Sequence, residues 1–143
     1  MSLFIDTSYW ISLAVTRDPC HTAALAWASH TAVNAIPLVT TEAVLWETLN
    51  SLSSQPHRSL AAGLYQRVHD DPAIAVVDFE SELCDQAIQM YASRDDKDWG
   101  VIDCLSFVVM RLHGIDQALT ADHHFEQAGY VALLRGKAPG EIS

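Results

Sequence analysis

The sequence predicts an α/β protein: a parallel five-stranded sheet flanked by helices on both faces, an α/β/α arrangement. Three observations carry that prediction. Short apolar runs alternate along the chain with longer segments of helical periodicity, the order that gives parallel strands joined by crossover helices. The runs are apolar throughout rather than at every second residue, as strands covered on both faces require. The chain has 143 residues, half of them apolar, enough for one real core and too few for two ordinary ones. Residues 1–143 are therefore expected to form one domain, with 135–143 as a frayed tail.

Leu3-Phe4-Ile5 is the first strand, and Asp6-Thr7-Ser8 at its end offers a helix cap. Helix is expected from Tyr9 to Val15. Asp18-Pro19 opens a second helix, in which Cys20, Ala23, Ala24, Trp27, Ala28 and Thr31 repeat at helical spacing. Ile36 to Thr40 is a second strand, followed by Thr41-Glu42 and a helix from Ala43 to Leu52. Ser53-Ser54-Gln55-Pro56 links it to a helix whose apolar face is Leu60, Ala61, Leu64 and Val68. Ile74 to Phe79 is the third strand. The next helix places Leu83, Ala87, Met90 and Tyr91 inside and Glu80, Glu82, Asp85 and Gln89 outside. A further helix carries Ile102, Leu105, Phe107, Val108, Val109, Met110 and Leu112 and stops at Gly114. Ala118 to Ala121 forms the fourth strand with Asp122 at its end. A short helix runs through Phe125 to Gly129, and Tyr130 to Leu134 is the fifth strand.

Composition narrows the function. Net charge is −10, and residues 70–103 hold ten acids against Arg94 and Lys97, a net of −8. Such acidity argues against nucleic-acid binding by simple backbone neutralisation, which relies on Lys and Arg. It leaves open a nucleic-acid enzyme in which metal ions supply the positive charge. Cys20, Cys84 and Cys104 are odd in number and widely spaced, which suggests neither a disulfide framework nor a zinc site. No apolar stretch reaches the ~18 residues of a membrane span and no signal-peptide pattern opens the chain. A soluble, cytoplasmic protein is expected.

The acids gain meaning from the fold. In open parallel sheets ligands bind beyond the carboxyl ends of the strands, where the following helices begin. Asp6 and Asp122 occupy strand ends, Glu42 opens the helix after the second strand, and Asp103 falls in the first turn of the apolar central helix. All four are expected on one rim. Crowded carboxylates repel unless some protonate or a cation joins them. Oxygen ligands suit Mg²⁺ or Mn²⁺, and two such ions roughly 3.5–4 Å apart serve phosphodiester hydrolysis.

Four segments resemble the PIN-domain nucleases, and among them the VapC-type toxins of bacterial toxin–antitoxin pairs. They are Phe4-Ile5-Asp6-Thr7-Ser8, Thr40-Thr41-Glu42, Asp98-Trp99-Gly100-Val101-Ile102-Asp103-Cys104-Leu105-Ser106-Phe107 and Leu119-Thr120-Ala121-Asp122-His123-His124-Phe125. In order and spacing they cover nearly the whole chain. The resemblance implies a PIN-like fold and a Mg²⁺- or Mn²⁺-dependent endoribonuclease. It also implies a homodimer, an RNA substrate and inhibition by a cognate antitoxin. Asp6, Glu42, Asp103 and Asp122 match the family's acidic positions, and Asp98 matches an additional acid of some relatives. One position departs. Many members carry another acid two residues after the position of Asp122, where this chain has His124. An imidazole there favours Mn²⁺ over Mg²⁺ as a ligand, or hydrogen-bonds a neighbour.

Plainer roles compete with each assignment. Asp6 and Asp122 suit helix caps, Glu42 suits a helix-dipole partner and Asp98 suits the cap of the central helix. Thr7, Ser8 and Thr120 suit structural hydroxyls, with Thr7 near enough to orient Asp6. Trp10, Trp27 and Trp46 suit core or a partner surface, and Arg17, Arg58 and Arg67 are the few cations available to steer RNA, with no common face assigned to them by the sequence. Two other function classes share the predicted architecture: a phosphoacceptor signalling domain using Asp78 at the end of strand three, and a non-catalytic binding module on the same fold.

Overall fold

The computed structural model describes residues 1–140. Five parallel strands, β1 (Leu3–Ile5), β2 (Leu38–Thr41), β3 (Ile74–Val77), β4 (Gln117–Leu119) and β5 (Val131–Ala132), pair in the order β3-β2-β1-β4-β5. The helices are α1 (Thr7–Ala14), α2 (His21–Val33), α3 (Glu42–Ser51), α4 (Arg58–Asp70), α5 (Ser81–Ser93), α6 (Val101–His113) and α7 (His123–Gln127). Leu133–Arg135 forms a 3₁₀ turn. Connections between parallel strands are right-handed. The chain steps outward from β1 to β3 and then returns to the far side of β1, so α1–α4 and α5–α7 cover opposite faces. Packing agrees: α1 rests on α2 and α3, α3 on α4, and α5 on α6.

The direction of winding reverses between β1 and β4, which are direct neighbours. Such a reversal opens a crevice at the carboxyl ends of the two strands. The strand order also separates the fold from a phosphoacceptor domain, in which the third strand is central. Here β3 is an edge strand. Asp78 sits exposed beyond it, and its carboxylate accepts the Phe79 N–H at 2.8 Å.

The core forms where the sequence is most apolar. Phe4, Ile5, Leu119, Val108, Met110 and Phe125 are completely enclosed, and from Cys104 to Met110 every residue of α6 is buried. Trp10 and Trp27 belong to this core, whereas Trp46 is 60% exposed and packs edge-on against Phe79, ring centroids 5.6 Å apart. No helix among the described residues is long and apolar enough to cross a membrane.

Several element boundaries differ from expectation. Asp18-Pro19 does not open α2, because the Asp18 carboxylate is spent on a turn, accepting from Ser12 Oγ at 2.9 Å and from Cys20 N–H at 2.8 Å. β3 ends at Val77 rather than Phe79. β5 pairs over two residues only, since Leu133 and Leu134 turn inward and Leu134 N–H donates to Thr120 O at 3.1 Å. Tyr91 is 54% exposed rather than inside, as α5 rests on Ala87 with Leu83 and Met90 beside it. The expected frayed tail lies partly outside the described residues. At its start, Arg135 pairs with Glu126 at 2.8 Å.

Candidate metal centre

β1 and β4 each end by delivering polar groups into the crevice between them. Asp6 follows β1 and is 5% exposed. It occupies the position before α1, yet its side chain caps no backbone N–H. Its Oδ2 instead accepts from Thr120 Oγ1 at 2.7 Å and Ser8 Oγ at 3.3 Å. The two hydroxyls lie 3.1 Å apart, Ser8 Oγ accepts the Ala121 N–H at 2.9 Å, and Thr120 Oγ1 accepts the Asp122 N–H at 3.0 Å. This network stitches the ends of β1 and β4 together. It also fixes the backbone on which Asp122 is carried.

β4 ends at Leu119, so Asp122 stands three residues beyond the strand, at the start of α7. Its Oδ1 accepts the His124 N–H at 2.9 Å, a true cap. Asp103 projects from the first turn of α6, and its Oδ2 accepts the Gly100 N–H at 3.1 Å. The N-cap of α6 is therefore Gly100, not Asp98. A cap acting from the helix's third residue needs no side chain at the cap itself, and Gly100, at φ −72°, uses none of its conformational freedom. Asp98 is exposed, just before that cap.

The fourth acid of this group is Glu47. It lines a cleft of about 330 Å³ together with Gly100, Ile102, Asp103, Asp122 and His124. Glu42 is elsewhere. Its Oε1 accepts the Tyr65 hydroxyl at 2.6 Å and its Oε2 lies 2.9 Å from His69 Nε2, so α4 holds it away from the crevice. Counting from Ala43 and Val44, the helical repeat reaches residue 47 on the buried face of α3. A carboxylate there interrupts an apolar stripe, and that was the signal for Glu47 in the sequence.

The electrostatics show four negative groups held too close for comfort. Asp6 is pushed up to about 6, first by burial and further by the charges of Asp122 and Glu47. Glu47 is raised by burial and then by Asp103 and Asp122. Asp103 is raised by burial, then by Asp122 and Asp6. Thr7 is near enough to Glu47 to favour its charged form, yet the buried Thr7 hydroxyl completes no hydrogen bond. It orients no part of Asp6, a task that falls to Ser8 and Thr120.

His124 sits among these acids. Its Nδ1 lies 3.3 Å from both Asp103 Oδ2 and Asp122 Oδ1, is shielded from solvent, and closes neither contact with hydrogen-bond geometry. Asp122, His123 and His124 can bring ligand atoms within 4.8 Å of one another. Oxygen donors with one imidazole, a buried nitrogen without a partner and carboxylates resisting ionisation form a donor set suited to a hard divalent cation.

The PIN-domain model matches residues 3–130. The chain belongs to the PIN-domain family. A curated relative, the 23S rRNA-specific endonuclease VapC20 of Mycobacterium tuberculosis, is 33% identical over 133 residues, 92% of this chain and 97% of its own. The crystal structure of M. tuberculosis VapC20, described as a sarcin-ricin loop cleaving toxin, superposes with a TM-score of 0.79 at 29% identity, covering 91% of this chain and 97% of that one. VapBC2 from Rickettsia felis, bound to a promoter DNA fragment, shares the fold at a TM-score of 0.66 and 11% identity, covering 92% of this chain and 96% of that one.

Proposed function

We propose that this PIN-domain protein is a Mg²⁺- or Mn²⁺-dependent endoribonuclease acting as the toxin of a toxin–antitoxin pair. The observation that carries the reading is the convergence of Asp6, Glu47, Asp103 and Asp122 on the crevice between β1 and β4, three of them with raised pKa values. These four residues would hold the metal, with His124 as a fifth donor; Asp98, exposed before the cap of α6, does not line the cleft. Glu42, tied to Tyr65 and His69, is left out of the set. A bound cation supplies Lewis acidity toward a phosphate and offsets the repulsion among the carboxylates. Ser8 and Thr120 keep Asp6 in one orientation, so its second oxygen points to the same place in every turnover. The Gly100 N–H does the same for Asp103.

Kinship with a 23S rRNA endonuclease makes ribosomal RNA the first substrate to try, and supports a cytoplasmic location beside it. Similarity to toxin–antitoxin assemblies supports a protein inhibitor as partner. The family resemblance supports a homodimer. The test is cleavage of purified cellular RNA and intact ribosomes with Mg²⁺, Mn²⁺ or EDTA, by wild type and Asp103→Asn, both checked for folding by circular dichroism. Metal-dependent cutting that Asp103→Asn loses supports the reading. Failure of folded wild type to cut either substrate with either metal would leave a non-catalytic binding module on the PIN fold.

A further inference from the structure

A second cavity lies directly beside the acidic cleft and has the opposite character. It measures about 850 Å³ and sits between α5, α6 and the end of α7. None of the residues lining it is acidic, although the chain carries a net charge of −10. Two of the eight cations, Arg94 and Arg111, face into it together with the amides of Gln86 and Gln89 and the rings of Trp99 and Tyr130. Arg94 stacks over the Trp99 ring, 4.8 Å from its centroid, and is held in plane by Asp96 at 2.9 and 3.1 Å. The Trp99 indole N–H donates to Gln127 at 3.0 Å. Arg111 makes one long contact, 3.4 Å to Gln86, and no ion pair among the described residues. One guanidinium is thus a fixed plane, and the other is a free cation.

Position links this cavity to the acids. Trp99 lines the cavity and Gly100, the next residue, lines the cleft. On α6, Asp103, Phe107 and Arg111 follow at successive four-residue steps along one side of the helix, and His124 on α7 and Ala128 just past its end repeat the relation. Asp103 and Arg111 are eight residues apart, about 12 Å along the helix axis. That is the length of three to four stacked nucleotides at ~3.4 Å each.

We propose that the cavity between α5 and α6 binds a nucleotide of the RNA strand flanking the scissile phosphate, with a base stacked on Arg94 above Trp99 and a phosphate on Arg111. Guanidinium planes and aromatic rings are the surfaces on which unpaired RNA bases stack, and side-chain amides read base edges. Arg111 neutralises a phosphate, which the acidic cleft repels. Arg17, Arg58 and Arg67, on other elements, line no part of this cavity. The inference rests on the endoribonuclease reading for its ligand, and its test does not depend on cutting.

Binding of a short fluorescein-labelled single-stranded RNA to the full chain is measured by anisotropy in EDTA, with 5′-mononucleotides as competitors. Arg111→Ala and Arg94→Ala are expected to weaken binding roughly tenfold each. Each lost phosphate contact should lower the slope of log affinity against log salt by about 0.7. Arg111→Lys should retain the salt slope, and Lys137→Ala, at an exposed cation that lines neither the cavity nor the cleft, should change nothing. In cleavage assays the KM of Arg111→Ala should rise by more than kcat falls. RNA affinity unchanged in both arginine variants overturns the proposal, as does wild type that binds no RNA. A shift in sedimentation of the variants with RNA binding intact also overturns it, and marks the cavity as a protein interface. Wild type that binds through these arginines yet cuts nothing removes the nuclease reading and keeps the subsite.

Discussion

Helix α3 carries two glutamates, one in its first turn and one in its middle, five residues apart, and their fates differ. Glu42 in the first turn has both carboxylate oxygens engaged, by the Tyr65 hydroxyl at 2.6 Å and His69 at 2.9 Å. Glu47 has burial and two like charges around it, and a Thr7 hydroxyl that completes no hydrogen bond. One site is finished by the protein itself. The other is incomplete, and stays so unless a cation enters. The difference teaches that an acid's chemistry is set by what surrounds it, not by its place at a helix start.

Breaking the Glu47 side should have the largest effect. Glu47→Gln and Asp103→Asn are each expected to lower metal-dependent RNA cleavage by 100-fold or more, while Glu42→Gln stays within about threefold of wild type, read as initial rates on the same RNA. The affinity of the metal-free protein for Mn²⁺ should also rise with pH through about 6, because burial holds the Asp6 proton to about 6 and a cation must displace it; titration calorimetry at pH 5.5 and 7.5 checks this.

A second effect is on stability in EDTA, and its sign is opposite. Asp6 holds its proton to about 6 in the folded state against 3.8 for the ordinary group, so the folded state binds more protons between those values. Stability then falls as pH rises from about 4 to 6 and stays low above. The gap amounts to roughly 3 kcal/mol at most. Asp6→Asn should therefore raise the urea midpoint at pH 7.5, and should lose that advantage near pH 4.

The Glu42 side predicts a smaller change of opposite kind. Glu42→Gln removes charged hydrogen bonds from a mostly buried oxygen pair and should cost about 1–2 kcal/mol in urea unfolding. Asp96→Asn loses only its exposed pair with Arg94. It should leave the urea midpoint where wild type has it, because solvent screens an exposed pair.

Much of this was legible in the sequence. The five strands, their parallel order of connection and the buried central helix followed from apolar runs and periodicity, and three of the four clustered acids followed from their place at strand ends or in the first turn of α6. Glu42 and Glu47 were not separable by that rule. The deciding contacts come from Tyr65 and His69, more than twenty residues away, and a strand-end rule has no view of α4. Strand ends suffered similarly: β3 stops before Phe79 because Phe79 packs on Trp46 from another helix. The hydroxyls around Asp6 were visible as residue types, but only the register of β1 against β4 shows that Ser8 and Thr120, not Thr7, serve it. The α5–α6 cavity had no local signal, since Arg94 and Arg111 are seventeen positions apart.

The most direct test of the metal centre is titration calorimetry of Mn²⁺ into metal-free wild type, Glu47→Gln and Glu42→Gln at pH 7.5. The account predicts that wild type and Glu42→Gln bind with similar affinity, and that Glu47→Gln binds at least tenfold more weakly. Retention of wild-type affinity by Glu47→Gln, with loss in Glu42→Gln, would contradict it and return the site to the first turn of α3.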